Sequence, residues 1–246
     1  MSNSSLVTYT NITKNKTSPR NHVIDTITIH CIVGQWTAKQ GCDYFATTQN
    51  ECSANYVVGK DGSIGLSVDE KDRAWTSSNR TNDMRAVTIE VASDTTHPYA
   101  VTDKALAALI DLCVDICKRN KIEKLVWSDN KSDRVNHKNG CNMTVHRDFA
   151  NKACPGQYLY ERQGYIADEV NKRLGVYTVD NSTPFKVGDK IKLAADATYY
   201  DGKSIPAWVK RSTLYVREIK GDRVVVSTVK TGAVTGAVNI KYLKSL

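Results

Sequence analysis

The chain has 246 residues, 41% of them hydrophobic and 24% charged, which is an ordinary globular composition with room for one large domain or two smaller ones. No apolar run approaches the roughly 20 residues of a membrane-spanning helix. The polar first residues lack the apolar core of a secretory signal, so we expect neither a membrane span nor signal-directed export.

The net charge of +8 is concentrated in the carboxyl-terminal part of the chain. Residues 176–246 contain 12 Lys and Arg against 6 Asp and Glu, which leaves a surplus of only two positive charges for residues 1–175. A basic surface attracts polyanions, and both nucleic acids and anionic cell-wall polymers meet that description. The tail lacks Lys/Arg clusters interleaved with aromatic residues in a recognisable nucleic-acid module, so we do not expect a nucleic-acid partner.

The chain contains seven cysteines. An odd number without a signal peptide indicates reduced thiols in the cytosol. Cys113 and Cys117, four residues apart in a helical pattern, are expected to be small buried core residues. A metal site at this pair, or at Cys31 and Cys141, is the alternative, but no further ligand pattern accompanies either pair.

Three strand patterns come first along the chain. Residues 22–33 alternate and are rich in β-branched side chains, which predicts a strand entering the core. Residues 54–68 predict a hairpin around Asp61-Gly62, a turn pair that tolerates positive φ. Residues 86–91 predict another strand, which has Glu90 near its end.

Two helical patterns follow. Residues 103–120 place their apolar side chains on one helical face, with Thr102 as a candidate N-cap. Residues 160–174 predict a second helix that Gly175 ends. Strands interleaved with helices predict an α/β fold, a mixed central sheet flanked by helices, for residues 1–175.

The helical period disappears after Gly175. Residues 176–184 form a short polar linker, and short strand patterns punctuated by turn residues follow at 190–193, 214–219 and 223–229. This spacing predicts a small all-β barrel over residues 185–246.

A set of metal ligands stands out in the first part of the chain. His30 ends the first predicted strand, and segment 144–156 supplies His146 and Cys154. Two imidazoles and a thiolate suit zinc, and three protein ligands leave the fourth tetrahedral position to water, as in catalytic sites. The alternatives are a packed core histidine at His30, and an inert thiol or a nucleophile at Cys154.

These residues resemble the type-2 N-acetylmuramoyl-L-alanine amidases, which include phage endolysins and the lysozyme-named amidase of phage T7, and whose fold is shared by peptidoglycan recognition proteins. The endolysins of clostridial phages are particularly similar. The resemblance covers about seven-tenths of the chain. The residues that carry it are Ile29-His30-Cys31, Asn55-Tyr56-Val57-Val58 before Asp61-Gly62, Asp72-Arg73-Ala74-Trp75, Val87-Thr88-Ile89-Glu90, and His146-Arg147-Asp148 leading to Lys152-Ala153-Cys154-Pro155-Gly156.

The resemblance implies roles for individual residues. It places one zinc ion on His30, His146 and Cys154, the catalytic acid/base on Glu90 and a catalytic lysine on Lys152. Some members carry a catalytic tyrosine where this chain has Ala54, which leaves proton transfer to Glu90. Substrate-binding residues are expected at Asn55 and Trp75, although Asn55 could instead orient His30 and Trp75 could be a hydrophobic plug.

The tail resembles a bacterial SH3-like domain, which implies binding to the cell wall. The residues that carry this are Val187-Gly188-Asp189, Tyr199-Tyr200-Asp201-Gly202, Ile205-Pro206-Ala207-Trp208-Val209 and Leu214-Tyr215-Val216. Together the two resemblances imply an endolysin that is made in the host cytoplasm and acts on the peptidoglycan of a Gram-positive, clostridial host after release. They leave the oligomeric state open.

Two other functions remain alternatives to zinc hydrolysis. A non-catalytic recognition protein could share the fold, although such proteins often lack the cysteine ligand. A cysteine peptidase that cuts the stem peptide could use Cys154 as its nucleophile.

Overall fold

The computed structural model describes residues 2–176 and 184–246, and the chain divides into two compact units after Val176. Most of the predicted linker, residues 176–184, lies outside the described residues. No helix in the described part of the chain is both long and apolar enough to cross a membrane.

The first unit alternates between strands and helices. Its strands are β1 (Tyr9–Thr10), β2 (Lys16–Thr17), β3 (Thr26–Val33), β4 (Tyr56–Val58), β5 (Ile64–Leu66), β6 (Arg73–Ala74), β7 (Ala86–Ser93) and β8 (Met143–Val145). Its α-helices are α1 (Ala38–Thr47), α2 (Arg80–Arg85), α3 (Asp103–Asn120), α4 (Lys131–Val135), α5 (Gly156–Tyr160) and α6 (Gln163–Leu174).

Six strands form one mixed sheet in the order β1-β5-β4-β7-β3-β8, in which β5 runs antiparallel to β4 and the other neighbours are parallel. Both faces of the sheet are covered. Tyr56 and Val58 belong to the core cluster that contains α3 and α6, whereas Val57 between them packs with Cys42 and Phe45 of α1. Successive side chains of a strand point to opposite faces, so this alternation places helices on both sides. The predicted fold class is confirmed.

The register of three parallel strands sets the positions of the key residues. In β3 and β7, His30 lies directly opposite Glu90, and in β3 and β8, Ile29 lies opposite Val145. His146 follows β8 at once, so His30, Glu90 and His146 meet near the carboxyl ends of neighbouring strands. Ligands of open α/β sheets bind at this edge.

The helix predictions hold with one change. Helix α3 has the predicted bounds, and the Thr102 hydroxyl accepts a hydrogen bond from the Ala105 N–H. The second predicted helix begins at Gln163 rather than at residue 160, because Tyr160 ends the short helix α5 and Arg162 has a non-helical ψ of 3°. Gly175 ends α6 with a φ of 77°, as predicted.

The second unit is an antiparallel sheet with its own hydrophobic core. Its strands are β9 (Lys190–Leu193), β10 (Leu214–Lys220), β11 (Arg223–Ser227), β12 (Gly236–Asn239) and β13 (Leu243–Ser245), in the spatial order β12-β11-β10-β9-β13, with helix α7 (Ala207–Arg211) between β9 and β10. A side chain at Gly236 would lie 2.5 Å from the Tyr199 ring, so this close approach requires glycine. The separate all-β region is present, and its SH3-like character stays a prediction.

Candidate active site

Three side chains that can ligate a metal converge at the carboxyl edge of the sheet. One ligand atom from each of His30, His146 and Cys154 lies within 4.8 Å of the others. The Sγ of Cys154 is 3.3 Å from Nδ1 of His30, and the two imidazole rings are 5.1 Å apart between centroids. In the described ranges, 2–176 and 184–246, this is the only such group of three or more residues.

A buried ion pair holds the segment that carries His146. The Asp148 carboxylate accepts hydrogen bonds from the Val145 N–H at 3.1 Å and from Arg134 at 2.9 and 2.5 Å. Arg134 is only 2% exposed and also donates to the Ser128 carbonyl oxygen. Removing one partner of such a pair costs about 3–5 kcal/mol, because it leaves a buried charge uncompensated. The pair therefore fixes the turn that begins at His146.

Ser78 holds the ring of His146 from the other side. Its hydroxyl oxygen lies 3.1 Å from Nε2 of His146, which leaves Nδ1 of that ring for a metal. Ser78 has a φ of 62°, in the left-handed region that a serine seldom adopts. A hydrogen bond to the second ring nitrogen orients a ligating histidine and fixes its tautomer. No sequence pattern singled out this residue.

Glu90 lies beside the three-residue cluster. One carboxylate oxygen, Oε1, is 3.9 Å from Nδ1 of His30, and the side chain is 15% exposed. The other oxygen, Oε2, is buried and has no hydrogen-bond partner among the described residues. Burial, and next the neighbouring Cys31, raise the pKa of Glu90 well above its ordinary value. A carboxyl group with these properties is suited to take up and release a proton.

Lys152 is exposed and precedes Cys154 by two residues. Its positive charge is close enough to His146 to contribute to that residue's electrostatics: burial first, and Lys152 second, lower the pKa of His146. The lysine therefore places a positive charge next to the cluster without ligating it.

Among the described residues, no hydrogen bond joins Asn55 to His30, His146 or Cys154. Asn55 has no exposed surface, its Nδ2 donates to the carbonyl oxygens of Val68 and Asp69, and its Oδ1 accepts from the Thr88 N–H. The polar atoms of its amide are thus bonded to other residues of the protein, and a part of Asn55 in binding the substrate stays a prediction.

Trp75 is half-buried, and its indole Nε1 donates to the Thr17 hydroxyl at 3.0 Å. In the described part of the chain, no hydrogen bond or ring contact joins Trp75 to His30, His146 or Cys154. A part in binding the substrate stays a prediction for this residue.

Burial sets the charge state of the three candidate ligands. It lowers the pKa of His30 well below the ordinary value, and nearby His146 lowers it further. Burial also raises the pKa of the Cys154 thiol, with a second contribution from Cys31. The lowered pKa of each imidazole favours its neutral form, which is the form that binds a metal.

The remaining cysteines lie outside this cluster. All seven thiols are free, and Cys113 and Cys117 are fully buried in the core, as the helical pattern predicted. Cys31 contributes its backbone N–H, which lies 3.4 Å from the sulfur of Cys154.

Comparison with known families identifies the fold and its activity. The family model described as N-acetylmuramoyl-L-alanine amidase matches residues 20–157, more than half of the chain. The chain belongs to this family. The expected enzyme class, an N-acetylmuramoyl-L-alanine amidase acting on peptidoglycan, is thereby confirmed.

Two solved structures, PlyL and AmpD, support the same fold for the amidase. PlyL is 17% identical with a TM-score of 0.51, and the match covers 66% of this chain and 95% of PlyL. A selenomethionine derivative of AmpD is 18% identical with a TM-score of 0.50, and the match covers 67% and 96% of the two chains. The endolysin LysCS from Clostridium intestinale URNW is 15% identical with a TM-score of 0.42, over 67% and 95%. No curated protein sequence matched significantly.

Replacing Ser78 with alanine tests the part of its hydroxyl in metal binding. We expect Ser78→Ala to raise the dissociation constant for zinc by about tenfold or more, because the ring of His146 loses the bond that orients it. Metal-free protein titrated with zinc against a chromophoric chelator gives this constant. Ser132→Ala, at an exposed serine of α4, should leave the constant unchanged. An unaltered affinity in Ser78→Ala would contradict the assignment.

Proposed function

We propose that the amidase is zinc-dependent, with one zinc ion held by His30, His146 and Cys154. The observation that carries this proposal is the convergence of the three ligand atoms within 4.8 Å of one another. The reaction is hydrolysis of the amide between the lactyl group of N-acetylmuramic acid and the L-alanine of the stem peptide.

The chemistry of the donor set fits zinc. Two neutral imidazoles and one sulfur are ligands that zinc takes, and three protein ligands leave one tetrahedral position for water or substrate. The Cys31 N–H points to the Cys154 sulfur, a hydrogen bond that favours a negatively charged sulfur. Nδ1 of His30 lies 3.3 Å from the Cys154 sulfur, so a metal ion between the two could contact both atoms. When bound, zinc supplies a Lewis acid that polarises a carbonyl oxygen and lowers the pKa of a water molecule.

Glu90 and Lys152 have separate roles in the reaction, proton transfer and charge stabilisation. Glu90 takes a proton from the attacking water and returns it to the departing alanine nitrogen, for which its position 3.9 Å from His30 is suitable. The ammonium group of Lys152 stabilises the negative charge that develops on the carbonyl oxygen. Ala54 is fully buried between Cys42, Phe45 and Val57, which leaves Glu90 as the proton carrier of this proposal.

The second unit is proposed to bind the cell wall, with residues 1–175 as the catalytic domain, 176–184 as a linker and 185–246 as an SH3-like domain. Its support is the basic surplus of the tail and the exposure of Trp208, which is 59% exposed and offers a ring for stacking. On the resemblance of the motifs, the protein is a phage or prophage endolysin, made in the bacterial cytoplasm, that lyses a Gram-positive, clostridial host.

Product analysis tests the proposed reaction. Purified Gram-positive peptidoglycan digested by the protein should release stem peptides with a free L-alanine amine and leave the glycan intact. A chelator should abolish this release, and added zinc should restore it. Mass spectrometry distinguishes the alternatives: cuts inside the stem peptide that survive chelation indicate a cysteine peptidase, and binding without cleavage indicates a recognition protein. Clostridial and Gram-negative walls, compared in the same assay, test the host.

A second variant tests the proton-transfer role. Glu90→Gln keeps the shape of the side chain but cannot accept the proton, so turnover should fall about 10²–10⁴-fold. Zinc content, measured by atomic absorption on the same preparation, should stay at one ion per chain. Glu123→Gln, at an exposed glutamate, is the matched control. Full activity of Glu90→Gln would contradict the role assigned to Glu90.

A further inference from the structure

A large cavity opens next to the candidate metal site. It has a volume of about 840 Å³ and is lined by residues of the loop after β7 and of the segment on either side of Cys154. Arg147 and Ala153, the sequence neighbours of His146 and Cys154, line it, so the cavity begins one residue away from two of the candidate ligands.

The cavity is cationic. Lys131, Arg147 and Lys152 line it, and no Asp or Glu does so among the described residues. None of these three side chains forms an ion pair with a carboxylate in residues 2–176 and 184–246. Such a concentration of positive charge, without compensation from the protein, favours an anionic ligand.

Arg147 is held in place and retains hydrogen-bonding capacity. Its Nη2 donates to the Ala153 carbonyl oxygen at 2.6 Å, and its guanidinium stacks on the Tyr160 ring at 4.2 Å. Its Nε is buried without a hydrogen-bond partner in the described part of the chain. An unsatisfied buried donor is costly, and a guanidinium fixed in this way is suited to a carboxylate.

The wall of the cavity is preformed. The loop after β7 is fastened to α5 by the Tyr158 N–H, which donates to the Pro98 carbonyl oxygen at 2.9 Å. Gly156, with a φ of 79°, allows Tyr99 to pack against it, since a Cβ there would lie 2.6 Å from the Tyr99 side chain. Because this pocket is already formed, no binding free energy is lost in ordering its walls.

We propose that this cavity binds a carboxylate of the stem peptide, and that the enzyme therefore prefers stems with free carboxylates to amidated ones. The inference rests on the proposed function, which places the scissile amide at the metal cluster. From that bond the substrate extends in two directions. The N-acetylated glycan is uncharged, so in the peptidoglycan the anionic groups lie on the stem peptide, and the positive cavity is matched to that side.

Chemical amidation of the wall provides the test. One preparation of peptidoglycan, freed of teichoic acid, is divided, and one half is treated with carbodiimide and ammonia to convert its carboxylates to carboxamides. The initial rate at which new L-alanine amines appear is then measured for both halves. We expect faster cleavage of the untreated wall. Lys131→Gln should lower the ratio of the rate on the untreated wall to the rate on the amidated wall by about two- to fivefold, which is the effect of one partly exposed charge pair. Lys131→Glu should lower it further.

The control variants are Lys124→Gln and Lys124→Glu. Lys124 is an exposed lysine of the same unit that does not line the cavity, so these variants should keep the wild-type ratio. Both sets of variants retain the second unit, so a difference between them cannot arise from charge-dependent wall binding by that unit.

The outcomes distinguish this inference from the proposed function. If neither wall releases L-alanine amines, the proposed function fails, and the inference fails with it. If both walls are cut at equal rates, or if the Lys131 and Lys124 variants change the ratio equally, the function stands and the carboxylate site is wrong. A ratio that falls with Lys131 alone supports the site.

Discussion

The parallel pairing of β3 with β7 and β8 is the constraint on which the candidate site depends. It sets His30 directly opposite Glu90 and ends β8 at the residue before His146. A shift of one residue in either register would move these side chains to the other face of the sheet. The sheet thus positions His30 and Glu90 directly, whereas His146, Lys152 and Cys154 lie in the connecting segment that follows β8.

Burial gives the site its chemical character. His30 is completely buried, and Glu90 and Cys154 lie in surroundings that disfavour their charged forms. Polar groups in such a place are costly unless a partner satisfies them, and a bound cation can satisfy several at once. The ion pair of Arg134 and Asp148 and the hydrogen bond between Ser78 and His146 supply the rigidity that keeps the ligands together. The fold stabilises a site that would not be stable by itself.

Sequence patterns predicted the helices and strands whose apolar residues recur at a regular spacing. The alternating strand β3, the hairpin at Asp61-Gly62 and helix α3 follow the expected periods. Strand β8 has only three residues, too few to show a period of two. Helix α1 buries Ala38, Gly41, Cys42 and Phe45, of which only Phe45 is a large apolar residue.

A site residue could be predicted from the sequence where the residue type itself determines the chemistry. His30, His146 and Cys154 could be singled out as ligands before their proximity was known, and Glu90 and Lys152 followed from the family resemblance. Ser78 could not, since one serine hydroxyl looks like another until the partner is placed beside it. Asn55 illustrates a different ambiguity, because an amide suited to a substrate is equally suited to bonding the backbone, as the buried amide of Asn55 does.

X-ray absorption at the zinc edge, on protein loaded with one zinc ion per chain, tests whether His30, His146 and Cys154 hold the metal. We expect one sulfur at about 2.3 Å and two imidazole nitrogens at about 2.0–2.1 Å, with the sulfur lost in Cys154→Ser. A first shell without sulfur, or one that Cys154→Ser leaves unchanged, would contradict the assignment of the metal to His30, His146 and Cys154.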